Sequence, residues 1–203
     1  MIADLNQETV LTLVILAGYL LGSIPFGLLL TRAAGLGDVR KIGSGSIGAT
    51  NVLRTGRKGL AAATVLLDGL KGSAAVLLGA WLGGVPGIFL GGIASLLGHC
   101  YPVWLKFRGG KGIATALGIL VVADWRVAIA AAAAWLLVAL LLRISSAAAL
   151  GAVVVAPIAA WALGSPQPVL GLVLVADALI LLRHKDNIQR LLAGTEPRIG
   201  QKK

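Results

Sequence analysis

Apolar residues fall in long runs separated by short polar intervals along almost the whole chain, the pattern of helices that cross a membrane. The first run, residues 10–30, is long enough to span. Its leader, residues 1–9, carries Asp4 and Glu8 but no Lys or Arg, so it does not read as a cleavable signal peptide. The run closes on Gly22-Ser23-Ile24-Pro25-Phe26-Gly27 and a last apolar turn. After a polar interval over residues 32–58, a second run (59–82) is interrupted by Asp68-Gly69-Leu70-Lys71-Gly72, and a Gly83-Gly84-Val85-Pro86 turn leads to a third (87–105) containing His99. Lys106-Phe107-Arg108-Gly109-Gly110-Lys111-Gly112 introduces a fourth segment ending near Val122, shorter than the ~20 residues that span a bilayer core. A segment that short fits a short or re-entrant helix buried among its neighbours. Runs at 127–142, 146–163 and 169–182 precede a polar tail from Arg183. The expectation is an all-α polytopic integral membrane protein with seven transmembrane helices in a single domain over residues 1–203.

Composition changes the reading of charge. With 58% hydrophobic and 13% charged residues and a mean hydropathy of +0.92, the excess of 18 Lys plus Arg over 8 acids reads as topology, not nucleic-acid binding. Placing the N-terminus outside and alternating sides puts all but Arg126 and the intrahelical Lys71 at the inner face. That sorting follows the positive-inside rule, favours seven crossings over a re-entrant fourth segment, and places the C-terminus in the cytoplasm. The single cysteine, Cys100, excludes an internal disulfide, and two histidines with few acids argue against a metal site. No cofactor is expected. The alanine run 130–134 reads as a close-packing helix face, and no internal repeat of fixed period is evident.

Chemistry concentrates at the predicted inner face. Residues 43–54, Gly-Ser-Gly-Ser-Ile-Gly-Ala-Thr-Asn-Val-Leu-Arg, contain the spacing G-x-G-x-x-G at Gly43, Gly45 and Gly48. The preceding element is a hydrophobic helix rather than a strand, so a dinucleotide fold is rejected while the capacity of amide-rich backbone to approach a phosphate is kept. Ser44, Asn51 and Arg54 supply polar side chains, the last a bidentate cation; an ordinary solvated loop is the bland reading. Gly109-Gly110-Lys111-Gly112 lacks the Walker pattern but cushions a lysine at a helix start, a good anion site. Asp68 and Lys71, three apart in a helix, form either a structural ion pair or a functional one, and Gly69 and Gly72 admit a ligand or another helix. His99 is either a satisfied core histidine or part of the site. His184 and Asn187 lie three apart on a short helix after the last span, where the competing reading is a headgroup-facing basic tail.

In this order these segments resemble the bacterial acyl-phosphate-dependent glycerol-3-phosphate acyltransferases, the PlsY family, through residues 22–27, 43–54, 68–72, 98–115 and 183–196. The resemblance implies a seven-helix enzyme of the bacterial inner membrane with its site facing the cytosol. It would transfer a fatty acyl group from acyl phosphate to the sn-1 hydroxyl of glycerol 3-phosphate, giving lysophosphatidic acid and phosphate. Carried over by motif, Ser44, Arg54, Lys111 and His184 would be catalytic. Gly43, Gly45, Gly48, Asn51, Lys71, Gly72, His99, Gly109, Gly110 and Asn187 would bind substrate. Ser46 stands where the family commonly has asparagine. The expected partners are glycerol 3-phosphate, acyl phosphate and membrane lipids, with no nucleic acid and no obligate protein partner.

An acyl phosphate is already activated, so positioning and charge stabilisation suffice for direct attack by the glycerol hydroxyl without a covalent enzyme intermediate. Cys100 lacks an evident activating partner. The proton acceptor is His99, His184 or the substrate phosphate. Soluble-type acyltransferases use His-x4-Asp, but Trp104 and Gln189 occupy the aspartate positions. The few, scattered acids do not fit the aspartate cluster of a CDP-alcohol phosphotransferase. A phosphate or organophosphate transporter is the alternative, and would place its site at the bilayer midplane between repeats.

Overall fold

The computed structural model describes residues 5–200, and every regular element in that range is helical. Asp4, which enters the reading of the leader, and Lys202 and Lys203, which enter the charge sorting, lie outside the described residues.

The first apolar run forms two helices rather than one, α1 (Gln7–Gly22) and α2 (Phe26–Ala33). Pro25 has no N–H to donate and sits at the N-cap of α2, so the ladder lapses over residues 23–25. Backbone carbonyls freed in a membrane must find other partners. Trp104 Nε1 donates to the Ser23 carbonyl (2.6 Å) and Lys71 Nζ to that of Ile24 (2.8 Å). The break is therefore tied to two later segments.

A long helix, α4 (Lys58–Cys100), follows the short α3 (Ala49–Leu53). At Gly84 the backbone leaves the helical region (φ 59°, ψ −142°) and the two limbs, 58–83 and 85–100, fold back on each other. A side chain on Gly79 would overlap the Gly87 carbonyl, one on Gly87 that of Gly79, and one on Gly91 that of Ala75. Small residues thus let the limbs touch backbone to backbone, the usual source of adhesion where lipid removes the hydrophobic drive. The turn expected over residues 83–86 is this reversal. On the second limb lies α1, with Gly18 against Gly91 and Gly22 against Ser95.

The remaining elements are α5 (Ile113–Ala123), α6 (Trp125–Leu142), α7 (Ser145–Ala162), α8 (Gln167–Arg183) and α9 (Lys185–Leu192). At eleven residues α5 is as short as its sequence predicts, and it crosses the first limb where Gly72 meets the Thr115 carbonyl and Gly118 that of Gly69. Among the described residues, Gln7–Ala33, Lys58–Leu105, Trp125–Leu142 and Ser145–Ala162 are long and apolar enough to cross a membrane. So is α8 taken with α9, from which it bends by 62°.

Val76, Leu96, Cys100, Ile119, Leu172 and Ile180 form the central core, and an alanine-rich core holds α6, α7 and α8 together, with Ala131 of the 130–134 run inside it. Leu140, Trp161 and Trp81 remain about three-quarters exposed on the outer surface, as side chains facing lipid would be. A third cluster, Leu28, Val39, Ile47, Val52 and Ala61, lies beneath the glycine-rich loop.

Candidate active site

Three separate segments meet at one end of the helices. The first is the loop before and through α3. Gly43 (φ 54°) and Gly45 (φ 69°) take left-handed conformations that glycine accommodates without strain. Ile47 and Val52 plug the loop into the core. Asn51, almost wholly buried, closes it from within: Nδ2 lies 2.8 Å from the carbonyls of Val39 and Ser46, and Oδ1 accepts the Ser44 N–H (3.2 Å). Its amide therefore shapes the loop. Ser44 and Arg54 are left exposed, and Arg54 lies over Gly43, where a side chain would collide with its guanidinium. Ser46, the departure from the family pattern, accepts the Gly48 N–H through its hydroxyl (3.2 Å).

The second segment is the turn between the second limb of α4 and α5. Gly109 N–H donates to the Cys100 carbonyl (3.1 Å) and Gly110 N–H to that of His99 (3.0 Å), so the turn folds over the end of the limb. Side chains at either glycine would overlap His99, its carbonyl or its Nε2. Gly112 (φ 91°) then starts α5 and presents Lys111 half-buried.

The tail supplies the third segment. His184 Nδ1 lies 2.8 Å from the Ile180 carbonyl, which can only accept, so Nδ1 carries the proton and Nε2 the lone pair. Asn187 Nδ2 donates to Glu196 Oε1 (2.6 Å), which also accepts from Ser146 Oγ on α7 (2.7 Å), while Arg190 Nε donates to Oε2 (2.6 Å). Burial raises the Glu196 pKa, but these three donors outweigh it and hold the carboxyl below its ordinary value.

Electrostatics show that the segments share one space. Burial pushes the Lys111 ammonium down to about 8, opposed by Glu196 and assisted by Arg190, Arg183 and Arg54. Among the described residues neither Lys111 nor Arg54 has a carboxylate within ion-pair distance. Two cations without an ion-pair partner among the described residues, beside exposed glycine-rich backbone, are suited to a polyanionic ligand. No three His, Cys, Asp or Glu side chains among the described residues converge to hold a metal ion.

Lys71, Gly72 and His99 lie deeper than the others. Lys71 is 4% exposed, its ammonium 2.8 Å from Asp68 and bonded to the Ile24 carbonyl, and Gly72 packs on α5. His99, 4% exposed, backs the Gly109–Gly110 turn.

Sequence reasoning missed Arg183, which clamps that turn by donating to the carbonyls of Gly110 (3.0 Å) and Gly109 (3.3 Å) while stacking on Tyr101. It also missed Glu196 and Arg190. In the sequence Arg183 and Arg190 are absorbed into the topological charge count. The available signal was Glu196, an acid placed within a basic tail.

Fold and site together define a helical protein with spans apolar enough to cross a membrane and with cations and glycine-rich turns gathered at one end. A family model described as glycerol-3-phosphate acyltransferase matches residues 12–194. The glycerol-3-phosphate acyltransferase of Caulobacter vibrioides is 57% identical over 98% of this chain and 94% of its own length. That of Mesorhizobium japonicum is 58% identical over 95% and 97%. A crystal structure of PlsY, an integral membrane glycerol 3-phosphate acyltransferase in its glycerol 3-phosphate form, superposes with a TM-score of 0.87 at 40% identity, covering 94% of this chain and 96% of that one. A lysophosphatidic acid form superposes with a TM-score of 0.86. The chain belongs to the glycerol-3-phosphate acyltransferase family, and to its PlsY type.

Proposed function

We propose that this protein transfers a fatty acyl group from acyl phosphate to the sn-1 hydroxyl of glycerol 3-phosphate, releasing lysophosphatidic acid and inorganic phosphate. The observation that carries this reading is the meeting of Arg54, Lys111 and the His184–Asn187 tail at one helix end, with no carboxylate among the described residues in ion-pair contact with Arg54 or Lys111. Both substrates and both products bear phosphate. The glycerol hydroxyl oxygen bonds to the acyl carbonyl carbon, the bond from that carbon to the phosphate oxygen breaks, and phosphate leaves. Ser44, the amides around Gly43, Gly45 and Gly48, Arg54, and Lys111 with the Gly109–Gly110 turn together hold the substrate phosphates. His184 Nε2, its lone pair free, accepts the hydroxyl proton; a phosphate oxygen of the substrate is the other acceptor. His99 Nε2 abuts Gly110, which disfavours it for this role. The Cys100 side chain is fully buried in the central core, consistent with direct attack.

We also propose seven crossings of the bacterial inner membrane, with the N-terminus outside and the site facing the cytosol. The two limbs of α4 would each cross, α5 would cross as a short helix buried among neighbours, and Arg126 would be the lone outer cation. Purified protein given labelled glycerol 3-phosphate with acyl phosphate, acyl-CoA or acyl carrier protein separately tests the reaction. Lipid product from acyl phosphate alone is expected. Product only from acyl-CoA or acyl carrier protein would overturn the donor, and uptake into liposomes without product would overturn the enzyme.

A further inference from the structure

Below the site lies a buried polar chain to which the reaction above assigns no part. Asp68, 2% exposed in the first limb of α4, forms an ion pair with Lys71 Nζ at 2.8 Å, one helical turn away. A purely structural ion pair would end there. Asp68 Oδ1 also faces His99 Nδ1, 3.7 Å away on the second limb, and that nitrogen has no hydrogen-bond partner. The opposite edge of the same ring, Nε2, lies against Gly110, so closely that a methyl group there would overlap it. The contacts run without a gap from Lys71 through Asp68 and His99 to the turn that presents Lys111. Ser23 Oγ at the break between α1 and α2 and Thr115 Oγ1 on α5, on either side of this chain, are likewise buried and unpartnered. Unsatisfied buried polar atoms are rare in folded proteins, and four neighbouring elements each contribute one here.

We propose that Asp68 is a positioning residue for the Gly109–Gly110–Lys111 turn, acting through His99. Arg183 holds this turn by its carbonyls from one side, and the imidazole supports it from the other. A carboxylate facing Nδ1 fixes the tilt of that ring, and the glycines transmit the tilt because they have no side chain to absorb it. An ammonium displaced by a fraction of an ångström from the phosphate it grips loses affinity without any change in the reacting atoms. The inference rests on the reading that Lys111 binds a substrate phosphate.

The test is a cycle of variants built on Lys71→Met, so that no unpaired charge is left when Asp68→Asn is added. Asp68→Asn, His99→Gln and both together are compared with that background in KM and kcat for glycerol 3-phosphate and palmitoyl phosphate. Each single change is expected to raise KM for at least one substrate about tenfold with kcat lowered less than about threefold, and the pair to raise it no further. Effects of Asp68 and His99 that multiply, or an unchanged KM with Asp68→Asn, would overturn the proposal. If these variants do not yield monodisperse protein, Asp68→Glu in the otherwise unaltered chain is measured: it keeps the charge beside Lys71 but moves the carboxylate, and a KM equal to that of the unaltered protein would refute the role. Lys111→Ala separates the two levels. An unchanged KM in Lys111→Ala removes the phosphate reading itself, whereas a raised KM there with unaffected Asp68 variants removes only this inference.

Discussion

The two ends of the helices treat charge in opposite ways. At the end carrying Arg126, Asp124 caps α6 through the Arg126 N–H (3.1 Å) and takes the Arg126 guanidinium and the Ser165 hydroxyl on its two oxygens. The hydrogen bonds from Arg126 hold its carboxyl well below the usual carboxylate range. Asp124 and Arg126 are closed on each other there, and the Ser165 hydroxyl joins the α5–α6 turn to the α7–α8 turn. At the other end Arg54 and Lys111 have no carboxylate among the described residues within ion-pair distance, and Glu196, near Lys111, is already engaged by Ser146, Asn187 and Arg190. Satisfied charge makes a joint, whereas charge withheld from its partners makes a site.

The comparison breaks most visibly if the open cations are removed. Arg54→Ala and Lys111→Ala are each expected to lower acyl transfer by at least about 100-fold, the usual loss when one charge-stabilising donor is taken from a preorganised site. A drop of less than about threefold in the steady-state rate would place the site elsewhere.

A pH series sharpens the role of Lys111. Because burial depresses its pKa to about 8, the ammonium is present below pH 8 and lost above it. KM for the phosphate substrate it holds should rise with pH above about 8, by up to about tenfold per unit. Lys111→Arg, whose guanidinium stays charged, should flatten that limb. Stability moves the other way. The folded pKa lies below that of the unfolded chain, so the unfolded state binds more protons between about 8 and 10.5, and folding stability rises with pH over that window.

Smaller effects belong to residues that act behind the cations. Arg183→Ala, which removes both bonds to the Gly109–Gly110 carbonyls, should raise KM about tenfold in the same assay. At the closed end, Asp124→Ala should cost about 1 kcal/mol of stability through the lost cap, read as a lower thermal midpoint, with KM unaltered. Cys100→Ala should leave transfer within about twofold, and mass spectrometry of enzyme quenched during turnover should show no acyl adduct on Cys100.

How much of this is legible in the sequence depends on whether a feature is local. The apolar runs locate α4 to α8 because a membrane helix must satisfy its own backbone and face lipid, and the Gly83–Pro86 cluster marks the reversal at Gly84. The break at residues 23–25 reads as the end of a helix because its repair depends on Trp104 and Lys71, more than forty residues away. Ser44, Arg54, Lys111 and His184 announce themselves by chemistry in glycine-rich or polar settings. Asn51 does too, yet its amide is turned inward to the loop backbone, a distinction that composition cannot make. Arg183 escapes notice because any arginine ending a membrane helix at the inner face already satisfies the topology rule. Only the folded chain shows its guanidinium on the Gly109–Gly110 carbonyls.

The most direct test of a single pocket is equilibrium binding of glycerol 3-phosphate to the purified protein in detergent, for the unaltered chain, Arg54→Ala, Lys111→Ala and the double variant. If both cations line one anion pocket, each single change weakens binding and the double falls short of or exceeds the product of the two, because the residues act on a shared ligand. Affinities in which the two effects multiply as independent factors, or in which neither change matters, would contradict it.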